Sequence, residues 1–178
     1  MGLRREITRR VILDESRLTC SFDHKEVHFT VINTDTYNKM GSFPIHWVTS
    51  DIENASQNPA IKHIFVINHR PVYGSGFSAE PPTADSNNAV LWQVMENNHC
   101  VAMISSHEHL FFKKQVNNKV WQVITGCAGA RLDPVPDSLQ YFGYTIFQVM
   151  SSGKIIEKTM GRDVPAGGYL KKPDQPTI

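Results

Sequence analysis

Two short stretches decide how this sequence is interpreted: Val66-Ile67-Asn68-His69-Arg70-Pro71 and Ser105-Ser106-His107-Glu108-His109. The polar residues of each stretch follow an apolar run, 61–67 in the first case and 101–104 in the second, and such runs are typical of buried β-strands. A helical apolar period over 86–98 separates the two strands. Because a strand–helix–strand connection makes its two strands parallel neighbours, both histidine segments should lie at one edge of a sheet. Open α/β sheets bind their ligands at that edge.

The remaining segments predict strands and one further helix around these two strands. Ser42 is predicted to cap a helix that contains Trp47 and ends at Asn58-Pro59. Three β-hairpins are predicted from pairs of alternating runs joined by a turn: 18–22 with 26–33, 111–116 with 119–124, and 141–150 with 154–160. This order predicts an α/β fold, a sandwich of mixed sheets with flanking helices. We expect one domain over residues 1–160 and an irregular tail over 161–178.

Composition limits the classes of function. Hydrophobic residues make up 40% of the 178 residues, which is enough to form a core. The net charge is only +1, so we expect no basic surface for nucleic acid or a membrane. The three widely spaced cysteines, Cys20, Cys100 and Cys127, predict neither a disulfide framework nor a zinc knuckle. No signal peptide or long apolar run is visible, and we therefore expect a cytoplasmic protein.

The histidines carry the functional prediction. His107 and His109 are one residue apart, and His69 follows the neighbouring strand. Imidazole is a common ligand of zinc, iron and manganese, so three imidazoles at one sheet edge indicate a metal site. His-x-His alone is weak evidence, and histidines that are only hydrogen-bonded in a small α/β protein are the simpler alternative.

The combined motifs resemble the C-terminal half of a calcineurin-like metallophosphoesterase, and the purple acid phosphatase branch is the most similar. The motifs are His69-Arg70-Pro71, His107-Glu108-His109 and Val123-Ile124-Thr125-Gly126-Cys127-Ala128-Gly129-Ala130. The hairpin at 21–31 and the helix with Trp47 also resemble the family pattern. The resemblance covers most of residues 18–160.

The resemblance implies a dinuclear centre of divalent or mixed-valence ions (Fe, Zn or Mn) whose bound hydroxide attacks a phosphate ester. His69 and His107 would then ligate one ion and His109 the other. Arg70 would contact phosphate oxygens of a bound ester or phosphate anion, or would be a solvated structural arginine.

The family's carboxylate half is missing from this sequence. No Gly-Asp and no Gly-Asn-His occurs, and Ser106 stands where the family usually has glycine. Two cations about 3.5–4 Å apart repel each other strongly unless a carboxylate bridges them. We therefore expect the chain alone to be a weak or inactive hydrolase, or a catalytically dead binding or structural module of the same fold.

The missing half also has a consequence for packing. Without it, the strands over 61–67 and 101–104 are expected to lack a neighbour and to expose an apolar edge. A homo-oligomer, or an N-terminal segment that covers this edge, is the corresponding prediction for partners.

Overall fold

The computed structural model of the protein describes residues 18–36, 39–40, 42–78, 86–133, 141–163 and 169–171. In chain order its elements are β1 (Cys20–His24), β2 (Val27–Ile32), β3 (Asp35–Thr36), β4 (Lys39–Met40), α1 (Ile45–Gln57), β5 (His63–Asn68), α2 (Asn88–Asn97), β6 (Ala102–Ser105), β7 (Phe111–Val116), β8 (Val120–Thr125), β9 (Tyr141–Val149), β10 (Ile155–Asp163) and β11 (Tyr169–Lys171). The three predicted hairpins and both predicted helices are therefore confirmed. None of the described helices is long and apolar enough to cross a membrane.

A six-stranded mixed sheet forms the centre of the structure, with the strand order β1-β2-β5-β6-β8-β7. Strands β2, β5, β6 and β8 run parallel, and the edge strands β1 and β7 are antiparallel to their neighbours. The predicted parallel pairing of the strands that precede the two histidine segments is thus confirmed. The carboxyl ends of four parallel strands meet at one edge of this sheet.

The expectation that these two strands lack a neighbour is wrong. Strand β5 lies between β2 and β6, and β6 lies between β5 and β8. The β1–β2 and β7–β8 hairpins supply the outer strands, so the buried strands are paired on both sides within this chain.

Both helices pack on one face of the sheet. Val48, Ile52 and Leu91 from the helices join Val66 and Met103 from the strands, and all five are essentially inaccessible to water. Burial of apolar side chains from two layers is the main stabilising contribution to such a core.

The predicted Ser42 cap of helix α1 is wrong. The helix begins at Ile45, Pro44 occupies the cap position, and no side chain caps it. The backbone N–H of Val48 donates to the Pro44 carbonyl at 3.1 Å. Proline already supplies a helix-compatible φ there, so the chain enters the helix without a hydroxyl cap.

Strands β9, β10 and β11 form a second sheet, and the β9–β10 hairpin packs on the opposite face of the central sheet. Gly143 and Gly161 face each other across the hairpin. A Cβ on Gly161 would lie 2.2 Å from the Tyr141 ring, so the absence of a side chain lets this buried ring lie against the strand.

The irregular tail predicted from residue 161 is wrong for part of its length. Strand β10 continues to Asp163, and Tyr169–Lys171 pairs with it as β11. Residues 164–168 and 172–178 of that prediction lie outside the described residues. The glycines and prolines of this segment hid the strand pattern, because a three-residue strand shows too little alternation to be recognised.

Candidate functional site

The carboxyl edge of the central sheet brings two of the three predicted histidines together. His69 follows β5, His107 follows β6, and their ring centroids are 5.1 Å apart at an interplanar angle of 73°. His69 is exposed, whereas His107 is 9% exposed. The edge thus presents one accessible imidazole beside a buried one.

A tight turn sets the position of His107. The residue has φ of 65°, a left-handed conformation that costs an ordinary side chain about 1 kcal/mol or more. The N–H of Glu108 donates to the Ser106 carbonyl at 2.8 Å, and the N–H of Ser106 donates to the His69 carbonyl at 3.0 Å. These bonds tie the turn to the loop that carries the other histidine.

Gly126 packs against this turn, and the side chain of Glu108 anchors it to the loop after β5. A Cβ on Gly126 would lie 2.0 Å from the Glu108 carbonyl oxygen, so no other residue fits there without displacing the turn. The backbone of the small-residue loop thus lies directly against the turn. The Glu108 carboxylate is buried and accepts the N–H of Ser75 at 3.0 and 3.2 Å, which fixes the loop after β5.

His109 is held by a different loop. Its backbone N–H donates to a carboxylate oxygen of Asp133 at 3.1 Å, and its ring Nδ1 donates to the Arg131 carbonyl at 2.7 Å. This leaves Nε2 as the nitrogen that could meet a ligand. Among the described residues, however, no three His, Cys, Asp or Glu side chains are grouped so that they could hold a metal ion. The three imidazoles therefore do not converge into one site.

Arg70 is the centre of the polar contacts at this edge. Its Nε donates to Oδ1 of Asp35 at 2.7 Å, and its Nη1 donates to Nε2 of His107 at 2.9 Å. Its backbone N–H donates to the buried Thr34 hydroxyl at 2.9 Å. Arg70 is 8% exposed, so the solvated structural arginine of the sequence analysis is wrong.

The contact with Arg70 fixes the tautomer of His107. A guanidinium has only donors, so Nε2 of His107 must be the acceptor and the ring proton belongs on Nδ1. The Nε2 lone pair that could bind a metal ion is thus already engaged.

A buried polar network beneath these loops was not found in the sequence. Gln122 Nε2 donates to the Ser105 hydroxyl at 3.0 Å, and that hydroxyl donates to Oδ1 of Asn68 at 2.6 Å. The Asn68 amide in turn donates to the Arg70 carbonyl. Asn68 and Ser105 are the last residues of their strands, and polar residues that end apolar runs were the available signal.

Cys127 lies close to the site in sequence but does not belong to it. The buried thiol lies 3.7 Å from the Gly143 carbonyl, on the side of the β9–β10 hairpin. Burial raises the pKa of this thiol. It therefore remains protonated and packs as a small apolar side chain rather than acting as a nucleophile.

The described donors do not fit the dinuclear metal centre that the motifs imply. His69 and His107 are close, but Nε2 of His107 and the Asp35 carboxylate are both bonded to Arg70. His109 belongs to a separate set of contacts. A bridging carboxylate between two ions is not available among these side chains.

No family model and no curated protein sequence matches this chain. Solved structures do. The purple acid phosphatase PPD1 from yellow lupin (Lupinus luteus) seeds superposes on it with a TM-score of 0.63 at 12% identity, over 89% of this chain and 32% of that one. The fold is that of a calcineurin-like phosphoesterase. GAP50 of Plasmodium superposes with a TM-score of 0.56 at 15% identity, over 89% of this chain and 54% of that one.

The phosphoesterase fold is shared here only in part. This chain spans about a third of the lupin phosphatase and about half of GAP50. At these identities the likeness concerns the fold, and the chemistry of the edge has to be argued from the residues present.

Proposed function

We propose that this chain is a phosphoesterase-type module that hydrolyses phosphate esters weakly or not at all by itself. It contributes His69 and His107 to a ligand edge, with His109 in a separate set of contacts nearby, and the natural ligand of this edge is a phosphate ester or phosphate anion. The observation that carries the proposal is the bond from Arg70 to Nε2 of His107. With that nitrogen engaged and no three-ligand group in the described residues, two metal ions cannot be clamped for hydroxide attack.

The fold supports the phosphoesterase part of the proposal. The accessible His69 and the buried His107 lie where parallel strands end, which is where open α/β sheets place their ligands. The lupin purple acid phosphatase shares this architecture. Any further ligands would have to come from outside the residues that the structure describes.

Hydrolysis of p-nitrophenyl phosphate by the purified chain tests the proposal. The chain is assayed without a histidine tag, in the presence of Zn²⁺, Mn²⁺ or Fe²⁺, beside the variant His107→Ala. We expect the two proteins to show the same background rate. Metal-dependent hydrolysis that His107→Ala abolishes would contradict the proposal.

A purely structural module of the same fold is the second candidate. GAP50, which shares the fold, is described as the anchor in the inner membrane complex of Plasmodium. Both candidates predict little hydrolysis, so binding of phosphate distinguishes them. Titration with inorganic phosphate should shift the His69 ring resonances if the edge binds an anion, and should leave them unchanged in a structural module.

A further inference from the structure

One side chain occupies the place between two groups that metal ions commonly bind. The Arg70 guanidinium lies between the carboxylate of Asp35 and the imidazole of His107, at 2.7 and 2.9 Å. Carboxylate oxygen and imidazole nitrogen are standard ligands of divalent zinc and cobalt. We propose that Arg70 is the built-in cation of this edge and substitutes for a metal ion between Asp35 and His107.

The backbone holds Arg70 in this position. Its N–H donates to the Thr34 hydroxyl, and its carbonyl accepts from the Asn68 amide, which is itself bonded to Ser105. Three of these supporting side chains, on Thr34, Asn68 and Ser105, are buried. The backbone of Arg70 is therefore fixed, and its guanidinium bridges Asp35 and His107 without any rearrangement of the loop.

The charges agree with this arrangement. The Asp35–Arg70 pair is only partly open to water, with side chains 34% and 10% exposed, so the attraction is less screened than on an open surface. A guanidinium keeps its charge at every physiological pH and offers several donors in one plane. One arginine can thus satisfy both a carboxylate oxygen and an imidazole nitrogen.

The same arrangement opposes metal binding. A divalent ion at His107 needs the Nε2 lone pair that Arg70 now occupies. The ion would also lie within a few ångströms of a fixed positive charge, and that repulsion is large where water is partly excluded. Binding at His107 therefore requires Arg70 to move away first.

Replacing Arg70 should uncover a metal site. The variant Arg70→Gln removes the positive charge and the two guanidinium bonds, to the Asp35 carboxylate and to Nε2 of His107, beside the accessible His69. We expect Arg70→Gln to bind Zn²⁺ at least about tenfold more tightly than the unaltered chain, because the repulsion is gone. The double variant Arg70→Gln/His107→Ala should lose this gain.

Calorimetric titration with Zn²⁺ and the visible absorption of bound Co²⁺ measure the effect on tag-free protein. Lys154→Gln is the control, because it removes one positive charge from an exposed position in the β9–β10 turn and should leave Zn²⁺ affinity unchanged. Thermal unfolding of each variant establishes that the fold persists. His107-dependent Zn²⁺ binding by the unaltered chain, or no gain in a folded Arg70→Gln, would overturn the proposal.

A spectrum of the unaltered chain tests the arrangement without any variant. Long-range ¹H–¹⁵N correlations should show His107 with its proton on Nδ1 and an acceptor at Nε2. A proton on Nε2 would overturn the proposal even if Arg70→Gln failed to fold. This inference rests on the proposed function because both concern the same edge of the sheet. Efficient metal-dependent hydrolysis by the unaltered chain would overturn the proposed function. A folded Arg70→Gln variant that gains no Zn²⁺ affinity would overturn this inference alone.

Discussion

Nη1 of Arg70 donates to Nε2 of His107 across 2.9 Å, although 37 residues separate them in the chain. The contact exists because β5 and β6 are parallel neighbours and end at the same edge of the sheet. The contact places the positive charge of Arg70 at the edge where the histidine motifs of the sequence imply metal ions.

The buried ion pair between Lys113 of β7 and Glu157 of β10 links the two sheets. Its side chains are 2% and 4% exposed, and the Lys113 ammonium also lies 4.8 Å from the centre of the Trp121 ring. Lys113→Met alone leaves a buried carboxylate without its cation and should lower the free energy of unfolding by about 3–5 kcal/mol. Lys113→Met/Glu157→Leu should recover most of this loss in urea denaturation.

The exposed pair of Lys62 and Glu26 is the control for that experiment. Both side chains are about half exposed, so Lys62→Met should cost less than about 1 kcal/mol. Equal losses in the two single variants would show that the Lys113–Glu157 pair is not buried as described.

Gly126→Ala should displace the turn that carries His107. The added Cβ would lie 2.0 Å from the Glu108 carbonyl oxygen, a main-chain atom that cannot move alone. We expect a loss of about 1–3 kcal/mol in unfolding free energy, together with shifted His69 and His107 ring resonances. Ala128→Ser, at an exposed position of the same loop, is the matched control and should leave both measurements unchanged.

Asp51 of helix α1 is the acceptor for three side chains of the β1–β2 hairpin. Ser21 and Thr30 donate their hydroxyls to it at 2.6 and 2.7 Å, and the His28 ring bonds it at 3.0 Å. Asp51→Ala leaves the buried groups of Thr30 and His28 without this acceptor and should cost about 2–3 kcal/mol. Asp23→Ala, which removes the half-exposed carboxylate on the other side of His28, should cost clearly less. Equal costs would contradict the assigned role of Asp51.

We expect the free energy of unfolding to fall at high pH because the thiol of Cys100 is buried. Burial raises the pKa of its thiol from about 9 to about 12, so the folded chain holds this proton more tightly than the unfolded chain. The stabilising contribution is complete below pH 9 and is lost as the pH rises from about 9 towards about 12. Urea denaturation of Cys100→Val should show a shallower decline over this range than the unaltered chain.

Thiol labelling gives an independent check of the same burial. Iodoacetamide should modify the exposed Cys20 rapidly and leave the buried Cys100 and Cys127 unmodified in the folded chain. Rapid labelling of Cys100 would contradict the burial on which the pH prediction depends.

The sequence predicted the strands, and the parallel pairing of two of them, better than it predicted the site. Buried β-branched runs predicted β5 and β6, and the helix between them predicted their parallel pairing, because those signals are local. The role of Arg70 is not local: Asp35 and His107 lie 35 and 37 residues away, so only the folded chain shows that their side chains meet. The predicted Ser42 cap is wrong because Pro44 occupies the cap position and the helix begins at Ile45.

His109 shows the limit of a motif. The His-x-His spacing predicted two imidazoles at one site, but the turn at His107 and the hydrogen bonds to Arg131 and Asp133 give the two rings different surroundings. The spacing of residues along the chain contains no information on the positive φ that separates them.

The metal content of the chain is the most direct test of the central claim that Arg70, rather than a metal ion, occupies this edge. The chain is purified without a tag, incubated with Zn²⁺, Mn²⁺ and Fe²⁺, freed of excess ions and measured by elemental analysis beside His107→Ala. We predict well under one metal ion per chain, with no difference between the two proteins. Two metal ions per chain, lost in His107→Ala, would contradict the claim.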